Sequence, residues 1–364
     1  MRITFMMPAD DLTGGNRVVA TYAKILRARG HEVQVVSNAP DRPTLREQWR
    51  ALRHGQWRAM RERMRPMPGH IAQSGVPYKV LERPRAITAS DLPDADVLIA
   101  TWWETAVWMH EMPPTKGRKV HLIQDYEVWT GGDVSAQVNA ALRLPNCKIV
   151  ISNELKRTLE TQVGNLDVTL VPNAVDLQQF DAPPRQRGET PTVGFIYGRM
   201  PSKAADLHAR ACELAQRQLP ALQVLAFGAE QPISELPLPT GAMFFHRPPQ
   251  DQIASLYACC DAWLFGSRID SFGLPILEAM ACRTPVIGVP VGAAPELLAD
   301  GVGILVPPES AEDMAAAIVT LCTLPAADWR RMSDRAYERA HSYSWDDATD
   351  RLLQALEGAR GGTL

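Results

Sequence analysis

The sequence lacks several features that would narrow its class at once. Among its 364 residues no apolar run approaches the roughly 20 residues that a membrane-spanning helix needs. The net charge of −3 gives no general attraction to nucleic acid, so no nucleic-acid partner is expected. The apolar start is interrupted at Pro8, too soon for a secretory signal. These absences indicate a cytoplasmic globular protein.

The sequence has few cysteines, and they do not occur at paired spacings. Such scattered thiols favour reduced, buried side chains over disulfides or a metal site. We therefore expect neither a metal ion nor another cofactor. The six cysteines are Cys147, Cys212, Cys259, Cys260, Cys282 and Cys322.

The chain is long enough for two domains, and the order of its apolar segments predicts parallel sheets. An apolar strand at residues 3–7 leads to Gly14-Gly15, then to a helical pattern that ends at Gly30, then to a strand at 33–37. This β–turn–α–β order begins a doubly wound α/β domain. A second such series starts at the strand predicted over residues 192–197. The glycine pair is also compatible with a tight turn that binds nothing.

The segment 267–298 carries the strongest functional signal. Asp270 and Phe272 precede Gly273, and Pro275 opens a predicted helix with Glu278 in its first turn. The N–H groups at a helix start form a site for a phosphate, and glycine allows close approach of the ligand. Two carboxylates eight positions apart could then accept hydrogen bonds from a sugar and from a ribose. The alternative is a strand–loop–helix unit that serves only packing.

These residues resemble the signature of the retaining nucleotide-sugar glycosyltransferases of family 4. The match runs through Phe272-Gly273-Leu274-Pro275, Glu278-Ala279-Met280-Ala281-Cys282 and Thr284-Pro285-Val286. Asp270 stands where the family has Glu, Ser271 where it has the first Gly, and Arg283 where it has Gly. The resemblance implies the GT-B fold, in which two Rossmann-like domains face each other across a cleft. It also implies that Asp270 holds the transferred sugar, that Glu278 holds the ribose, and that Ser271, Phe272, Gly273 and Leu274 line the donor site.

Other positions follow from the same resemblance. Arg199 and Lys203 match the cation pair that grips the diphosphate, although three residues rather than four separate them. His246 lies where relatives hold the base. Asn173 falls in the run that ends the first domain. An ordinary pair of surface charges remains the alternative for Arg199 and Lys203.

In the first domain the resemblance assigns Gly14, Gly15 and Asn16 to the loop beside the donor phosphates or the acceptor. Asp125 is the first candidate for the polar group near the reacting carbon and Glu127 the second, because both follow the strand predicted at 119–123. Asp125 could instead cap the next segment or pair with an arginine. The predicted domains are 1–172, a hinge at 173–191, 192–343, and a helix at 344–364 that returns to the first domain.

Residues 41–65 are strongly basic, with eight arginines against three acids, a local net charge of +5. Leu45, Trp49, Leu52, Met60 and Met64 recur at helical spacing, which is typical of a helix in a membrane interface. We therefore predict contact with the anionic inner face of the plasma membrane. A solvated helix pair packed on the first domain is the alternative. The arginines are Arg42, Arg46, Arg50, Arg53, Arg58, Arg61, Arg63 and Arg65.

The leading hypothesis is a retaining transferase that moves a hexosyl or 6-deoxyhexosyl unit from a nucleoside diphosphate sugar to a hydroxyl of a glycan or lipid-linked glycan. The runs 124–127 and 197–199 resemble bacterial surface-polysaccharide transferases, including rhamnosyltransferases. One alternative is a sugar-nucleotide epimerase with the same fold. Another is a non-catalytic sugar-nucleotide or glycan-binding partner of an assembly complex.

Overall fold

The computed structural model describes residues 1–40, 43–55, 60, 64, 68–128 and 133–358. These residues form two compact units. Unit 1 comprises residues 1–151, 156–171 and 349–364, and unit 2 comprises residues 152–155 and 172–348. The predicted hinge, 173–191, therefore falls within unit 2, and most of the last helix groups with unit 1.

Unit 1 is built on a seven-stranded parallel sheet in the order β3-β2-β1-β4-β5-β6-β7. Its strands are β1 (Arg2–Met7), β2 (Glu32–Ser37), β3 (Tyr78–Val80), β4 (Val97–Ala100), β5 (Arg118–Ile123), β6 (Cys147–Val150) and β7 (Thr169–Leu170). Its helices include α1 (Gly14–Ala28), α2 (Leu45–Arg53), α3 (His70–Gln73), α4 (Trp103–His110), α5 (Ser135–Leu142) and α6 (Asn153–Gln162), the last of which begins within unit 2.

Unit 2 is built on a six-stranded parallel sheet in the order β10-β9-β8-β11-β12-β13. Its strands are β8 (Thr192–Ile196), β9 (Gln223–Gly228), β10 (Met243–His246), β11 (Ala262–Phe265), β12 (Val286–Gly288) and β13 (Ile304–Leu305). Its helices include α7 (Ala205–Gln218), α8 (Gln250–Ala258), α9 (Leu274–Ala281), α10 (Ala294–Leu297), α11 (Ala311–Thr323) and α12 (Ala326–His341). The final helix, α13 (Trp345–Gly358), begins in unit 2 and continues in unit 1.

The sequence forms these sheets because their central strands consist mainly of apolar residues. In β1 the five residues after Arg2 are all buried, as expected for a parallel strand covered by helices on both faces. Helix α1 turns Val18, Val19, Tyr22, Ala23 and Leu26 toward the core. The predicted pair of doubly wound α/β domains is thus confirmed.

The strand order places the functional loops. In each sheet the chain proceeds outward on one side and then crosses to the other, so that β1 and β4 adjoin in unit 1, and β8 and β11 in unit 2. Ligands of doubly wound sheets bind beyond the carboxyl ends of the strands at such a switch point. The loops after β8 and β11 are therefore where a ligand of unit 2 is expected.

Two local predictions need correction. Glu278 lies in the second turn of α9, because that helix already begins at Leu274. Cys259 is exposed rather than buried, although all six thiols are free as expected. In the basic segment 41–65, α2 ends before Gly55, whose φ of 68° is left-handed, and residues 41, 42, 56–59, 61–63 and 65 lie outside the described residues.

Candidate functional site

Lys203 lies at the switch point of the second sheet, on the turn that follows β8. A short 3₁₀ helix, Pro201–Lys203, carries it, and Ala204 leaves that helix in a left-handed conformation with φ of 51°. A Cβ at Gly198 would lie 3.2 Å from Lys203 Cγ, so the absence of a side chain there lets the lysine fold back over the strand end. Lys203 is the only lysine after residue 156 in the sequence.

Lys203 contacts the signature loop through Asp270. Its Nζ lies 3.5 Å from Asp270 Oδ2, with the lysine side chain 45% and the carboxylate 18% exposed. These groups come from the loops after β8 and β11, the two strands that adjoin at the switch point. The structure thus brings together a predicted phosphate ligand and a predicted sugar ligand.

The N–H groups ahead of α9 are not open, which corrects the prediction of an empty anion site there. Asp270 Oδ1 accepts hydrogen bonds from Gly273 N at 2.7 Å and from Phe272 N at 3.2 Å. A carboxylate two or three residues before such donors competes for them as an Asx turn does. Asp270 therefore orders the loop with one oxygen and faces Lys203 with the other.

Gly273 and Glu278 lie at the two ends of this site. Gly273 has φ of 89°, and a Cβ there would lie 2.9 Å from Ile276, so other residues would be strained and crowded. Glu278 is buried, and its Oε2 accepts a hydrogen bond from Tyr257 Oη at 2.8 Å. The tyrosine therefore fixes the orientation of this carboxylate.

Arg199 does not join Lys203 at Asp270. Its Nε and Nη2 donate to the carbonyl of Gln231 at 3.0 and 2.7 Å, and its backbone N donates to Glu230 Oε2 at 2.9 Å. The guanidinium is exposed and held by the loop after β9. Arg199 and Lys203 are one residue closer together in the chain than in the resembled family, and each has its own partner.

The other residues of unit 2 that are predicted to contact the nucleotide lie in different environments. His246 is exposed at the end of β10, with Nε2 3.2 Å from the Ala229 carbonyl. Asn173 is buried, and its Oδ1 has no hydrogen-bond partner among the described residues. Ser271 and Leu274 are partly exposed on the two sides of Phe272 and Gly273.

In unit 1, helix α1 begins at the predicted glycine pair. A Cβ on Gly15 would lie 3.4 Å from the side-chain amide of Gln124, which follows β5, so the loops after β1 and β5 adjoin here. Asn16 is buried and uses its amide on the preceding loop, donating to Asp11 Oδ1 at 2.8 Å and to the Ala9 carbonyl at 3.2 Å. Asn16 thus orders the glycine loop.

Asp125 and Glu127 differ sharply in setting. Asp125 is half-buried, and its Oδ1 accepts from Tyr126 N at 2.8 Å. Glu127 is buried, and its Oε2 accepts from Trp103 N, at the start of α4, at 2.7 Å. Burial raises the pKa of Glu127 well above its usual range, opposed by the Trp103 N–H and reinforced by Asp125 and Glu104. Glu127 therefore links the loop after β5 to α4.

Sequence reasoning missed three residues beside the predicted ligands. They are Gln124 next to Gly15, Tyr257 next to Glu278, and Arg268 close to Asp270 in the chain. Gln124 directly follows a predicted strand, so its position could have drawn attention. Tyr257 lies 21 residues before Glu278, and nothing in the sequence joins the two. Arg268 lies two residues before Asp270, where a lone arginine in a polar loop carries no motif.

Neither a metal-ligand cluster nor a membrane-spanning helix occurs among the described residues. Within the described part of the chain, no three side chains of His, Cys, Asp or Glu come together as a metal site would require. No helix in the ranges that the structure covers is both long and apolar enough to cross a bilayer.

Two family models match consecutive parts of the chain. Residues 12–179 match the model described as Glycosyltransferase Family 4, and residues 178–339 match the model described as Glycosyl transferases group 1. The chain has the GT-B fold, and both models describe glycosyltransferases, each over just under half of its length. In this GT-B chain the second model covers Arg199, Lys203, Asp270 and Glu278, and the first covers the loops of unit 1.

Curated relatives of this GT-B chain include D-inositol 3-phosphate glycosyltransferases. The protein of that name from Mycobacteroides abscessus is 34% identical over 182 residues, which cover 46% of this chain and 40% of the relative. The one from Actinosynnema mirum is 32% identical over 221 residues, covering 53% of this chain and 52% of the relative. The chain thus spans about half the length of the curated relatives it matches, or less.

Solved structures share the fold over nearly the whole chain. HepE of Anabaena, in a complex with UDP-glucose, has a TM-score of 0.74 at 19% identity and covers 98% of this chain and 100% of its own. Sucrose-phosphate synthase from Thermosynechococcus elongatus has a TM-score of 0.72 at 17% identity and covers 100% of both chains.

Proposed function

We propose that this GT-B protein transfers a sugar from a nucleoside diphosphate sugar to an acceptor hydroxyl, with retention of anomeric configuration. The observation that carries the proposal is the 3.5 Å approach of Lys203 Nζ to Asp270 Oδ2 at the switch point of the second sheet. A cation at the carboxyl ends of the strands, at the switch point of a doubly wound sheet, suits a diphosphate. The HepE complex with UDP-glucose is consistent with this ligand class.

The proposed roles follow from the contacts. Lys203 stabilises the charge that develops on the diphosphate as the glycosidic bond breaks, and Arg199 adds a second cation if it exchanges the Gln231 carbonyl for a phosphate. Glu278, oriented by Tyr257, accepts from the ribose. Asp270 positions Lys203 and the sugar. Ser271, Phe272, Gly273, Leu274, Asn173 and His246 surround the nucleotide.

The acceptor side is assigned to unit 1. Gly14, Gly15 and Asn16 shape the loop after β1, and Asp125 faces the reacting carbon. Glu127 does not contact the substrate in this scheme. It stabilises the loop after β5, because its buried carboxyl is bonded to the start of α4. The leaving phosphate oxygen takes the acceptor proton, and the cations of Lys203 and Arg199 stabilise the diphosphate without a metal in this scheme.

We favour a glycan or lipid-linked glycan acceptor and a hexosyl or 6-deoxyhexosyl donor, as in rhamnosyltransferases of surface polysaccharides. A phosphorylated cyclitol is the second candidate acceptor, since the curated relatives carry the name D-inositol 3-phosphate glycosyltransferase. Release of nucleoside diphosphate only with an acceptor present favours transfer. Conversion of the nucleotide sugar to its epimer without release of nucleoside diphosphate favours the epimerase, and binding without turnover favours a non-catalytic partner.

The first experiment is a thermal-shift screen with UDP, GDP, dTDP and ADP. The native protein should be stabilised by at least one of them. Lys203→Met should lower the affinity for that nucleotide by about tenfold or more, because one charge-assisted contact is lost. Lys156→Met, another exposed lysine, is the matched control and should bind normally. Unchanged affinity in Lys203→Met would contradict the proposed site.

Contact with an anionic membrane is the second part of the proposal. Leu45, Trp49 and Leu52 lie at positions i, i+4 and i+7 of α2 and are 76%, 67% and 56% exposed. An apolar face left exposed among arginines fits a lipid interface better than a helix packed on its own domain. The capping box between Thr44 and Glu47 holds the start of this helix.

Sedimentation with phosphatidylcholine vesicles, with and without phosphatidylglycerol, tests this contact. Replacing Arg46, Arg50 and Arg53 by Gln should weaken binding to the anionic vesicles by about 100-fold, since each basic residue contributes about 1 kcal/mol. Trp49→Ser should also release the protein. The matched control replaces three exposed arginines elsewhere, Arg210, Arg217 and Arg331. Equal losses in both triple variants, or a concentration-dependent dimer that Trp49→Ser abolishes, would contradict the membrane assignment.

A further inference from the structure

Arg268 uses every N–H of its guanidinium. Its Nε donates to Glu309 Oε1 at 2.7 Å, and Nη1 donates to the Pro201 carbonyl at 2.7 Å and to Asp206 Oδ1 at 2.9 Å. Its Nη2 donates to Asp206 Oδ2 at 2.8 Å and to Glu309 Oε2 at 2.9 Å. Five donors therefore meet five acceptors, the full capacity of an arginine fork.

These acceptors come from three separate segments of unit 2. Pro201 begins the 3₁₀ helix that carries Lys203, Asp206 lies in the first turn of α7, and Glu309 precedes α11. The backbone N of Arg268 also donates to the Ser202 carbonyl at 2.9 Å. Both residues that precede Lys203 are thus bound to Arg268.

The other side of the same arginine leads to Asp270, two residues further along the chain. Asp270 is fixed in its turn by the N–H groups of Phe272 and Gly273. One residue therefore joins the turn that carries the ammonium to the loop that carries the carboxylate. Two hydrogen bonds make this connection, from Nη1 to the Pro201 carbonyl and from the backbone N to the Ser202 carbonyl, beside the contact of Lys203 with Asp270.

Overall stability is a poor explanation for this arrangement. The Arg268 side chain is 27% exposed, and Asp206 and Glu309 are 55% and 57% exposed. Ion pairs with this exposure contribute about 1 kcal/mol or less to folding. A bidentate fork does, however, fix geometry, which a lysine at the same place could not do.

We propose that Arg268 is a positioning residue that sets the separation of Lys203 Nζ and Asp270 Oδ2 for the donor diphosphate. This inference rests on the proposed function of the same site. It predicts that the planar fork matters as well as the charge. Arg268→Lys keeps the charge and loses the fork, so it is the decisive variant.

Calorimetric titration with UDP, or with GDP or dTDP where one of these gives the larger thermal shift, tests the inference. Arg268→Lys should lower the affinity by about tenfold, the value of one charge-assisted contact. Its melting temperature should stay close to that of Arg210→Lys, the control on an exposed arginine of α7. In a Lys203→Met background, Arg268→Lys should cause little further loss, because both changes remove the same interaction.

Two results would overturn the inference: native affinity in Arg268→Lys, or fully additive losses in the double variant. A native protein that binds none of the nucleotides would contradict the proposed function instead. In that case a measurement that needs no nucleotide tests the positioning role of Arg268. Acetylation of Lys203, followed by mass spectrometry, should be faster in Arg268→Lys than in the native protein, and an unchanged rate would reject the positioning role.

Discussion

At the scale of single residues, Asp270 explains both a success and an error of the sequence-based prediction. The signature located the loop, because the run from Phe272 to Pro275 is specific. The rule that N–H groups at a helix start await an anion does not consider what the neighbouring side chains do. Here the anion is Asp270 itself, which accepts from Phe272 and Gly273. Spacing alone does not show whether a carboxylate three residues away binds these N–H groups first.

Asp270→Asn separates the two tasks of this side chain. An asparagine Oδ1 can still accept from Gly273 N, so the loop should keep its form, whereas the negative charge beside Lys203 disappears. UDP should then bind at least as tightly as to the native protein, with sugar transfer reduced. Asp270→Ala leaves the N–H groups without their acceptor and should bind UDP less tightly than Asp270→Asn. Calorimetry compares the three proteins, and equal losses in both variants would contradict this division of roles.

At the scale of helices and strands, the prediction succeeded where local pattern decides the outcome. The strands predicted at residues 3–7, 33–37, 119–123 and 192–197 are mainly apolar runs bounded by turn residues, and each lies close to its predicted bounds. The sequence-based prediction did not include β3, β7, β11 or β13. The partners of polar side chains did not follow, because they lie far away along the chain. Tyr257 orients Glu278 across 21 positions, and Arg268 reaches Asp206 across 62.

Arg283 illustrates the same limit at the end of α9. It stands where the resembled family has glycine, and its φ of 59° is the left-handed conformation that favours glycine after a helix. The arginine is retained with many partners: its Nε donates to the Ala182 carbonyl at 2.9 Å, Nη1 pairs with Asp334, and its Cζ lies 3.8 Å from the Tyr337 ring centroid. These contacts attach residues 182 and 334 to the end of the signature helix, which the departure from the family pattern could not have revealed.

At the scale of the whole molecule, each unit buries a histidine that must stay neutral. His121, on β5 of unit 1, is buried with neither ring nitrogen bonded to a described residue, and burial, with Lys148 nearby, lowers its pKa to about 3. His208, on α7 of unit 2, accepts from Gly266 N at 2.7 Å, and burial lowers its pKa to about 4. Both protonated forms are therefore incompatible with the native packing.

These histidines predict acid sensitivity that begins well above the range where carboxylates titrate. Their pKa values are lower in the folded state than the 6.5 of an ordinary histidine, so below that pH the unfolded chain binds protons that the folded chain refuses. Stability is fully present above pH 6.5 and falls as pH decreases, by about 1.4 kcal/mol per pH unit for each histidine. Urea unfolding at about pH 7 and about pH 5 should show this loss.

Substitution of His121 tests whether the loss has this origin. His121→Leu removes a buried imidazole with no partner among the described residues, so unit 1 should keep its stability near pH 7. Its stability should then change less steeply between about pH 6.5 and pH 5, although His70, whose pKa burial also lowers, still contributes. His110→Leu is the control, because this histidine on α4 is only partly buried. If His121→Leu kept the native slope of stability against pH, the proton uptake on unfolding would have to reside elsewhere, and the buried imidazole would not set the acid limit of unit 1.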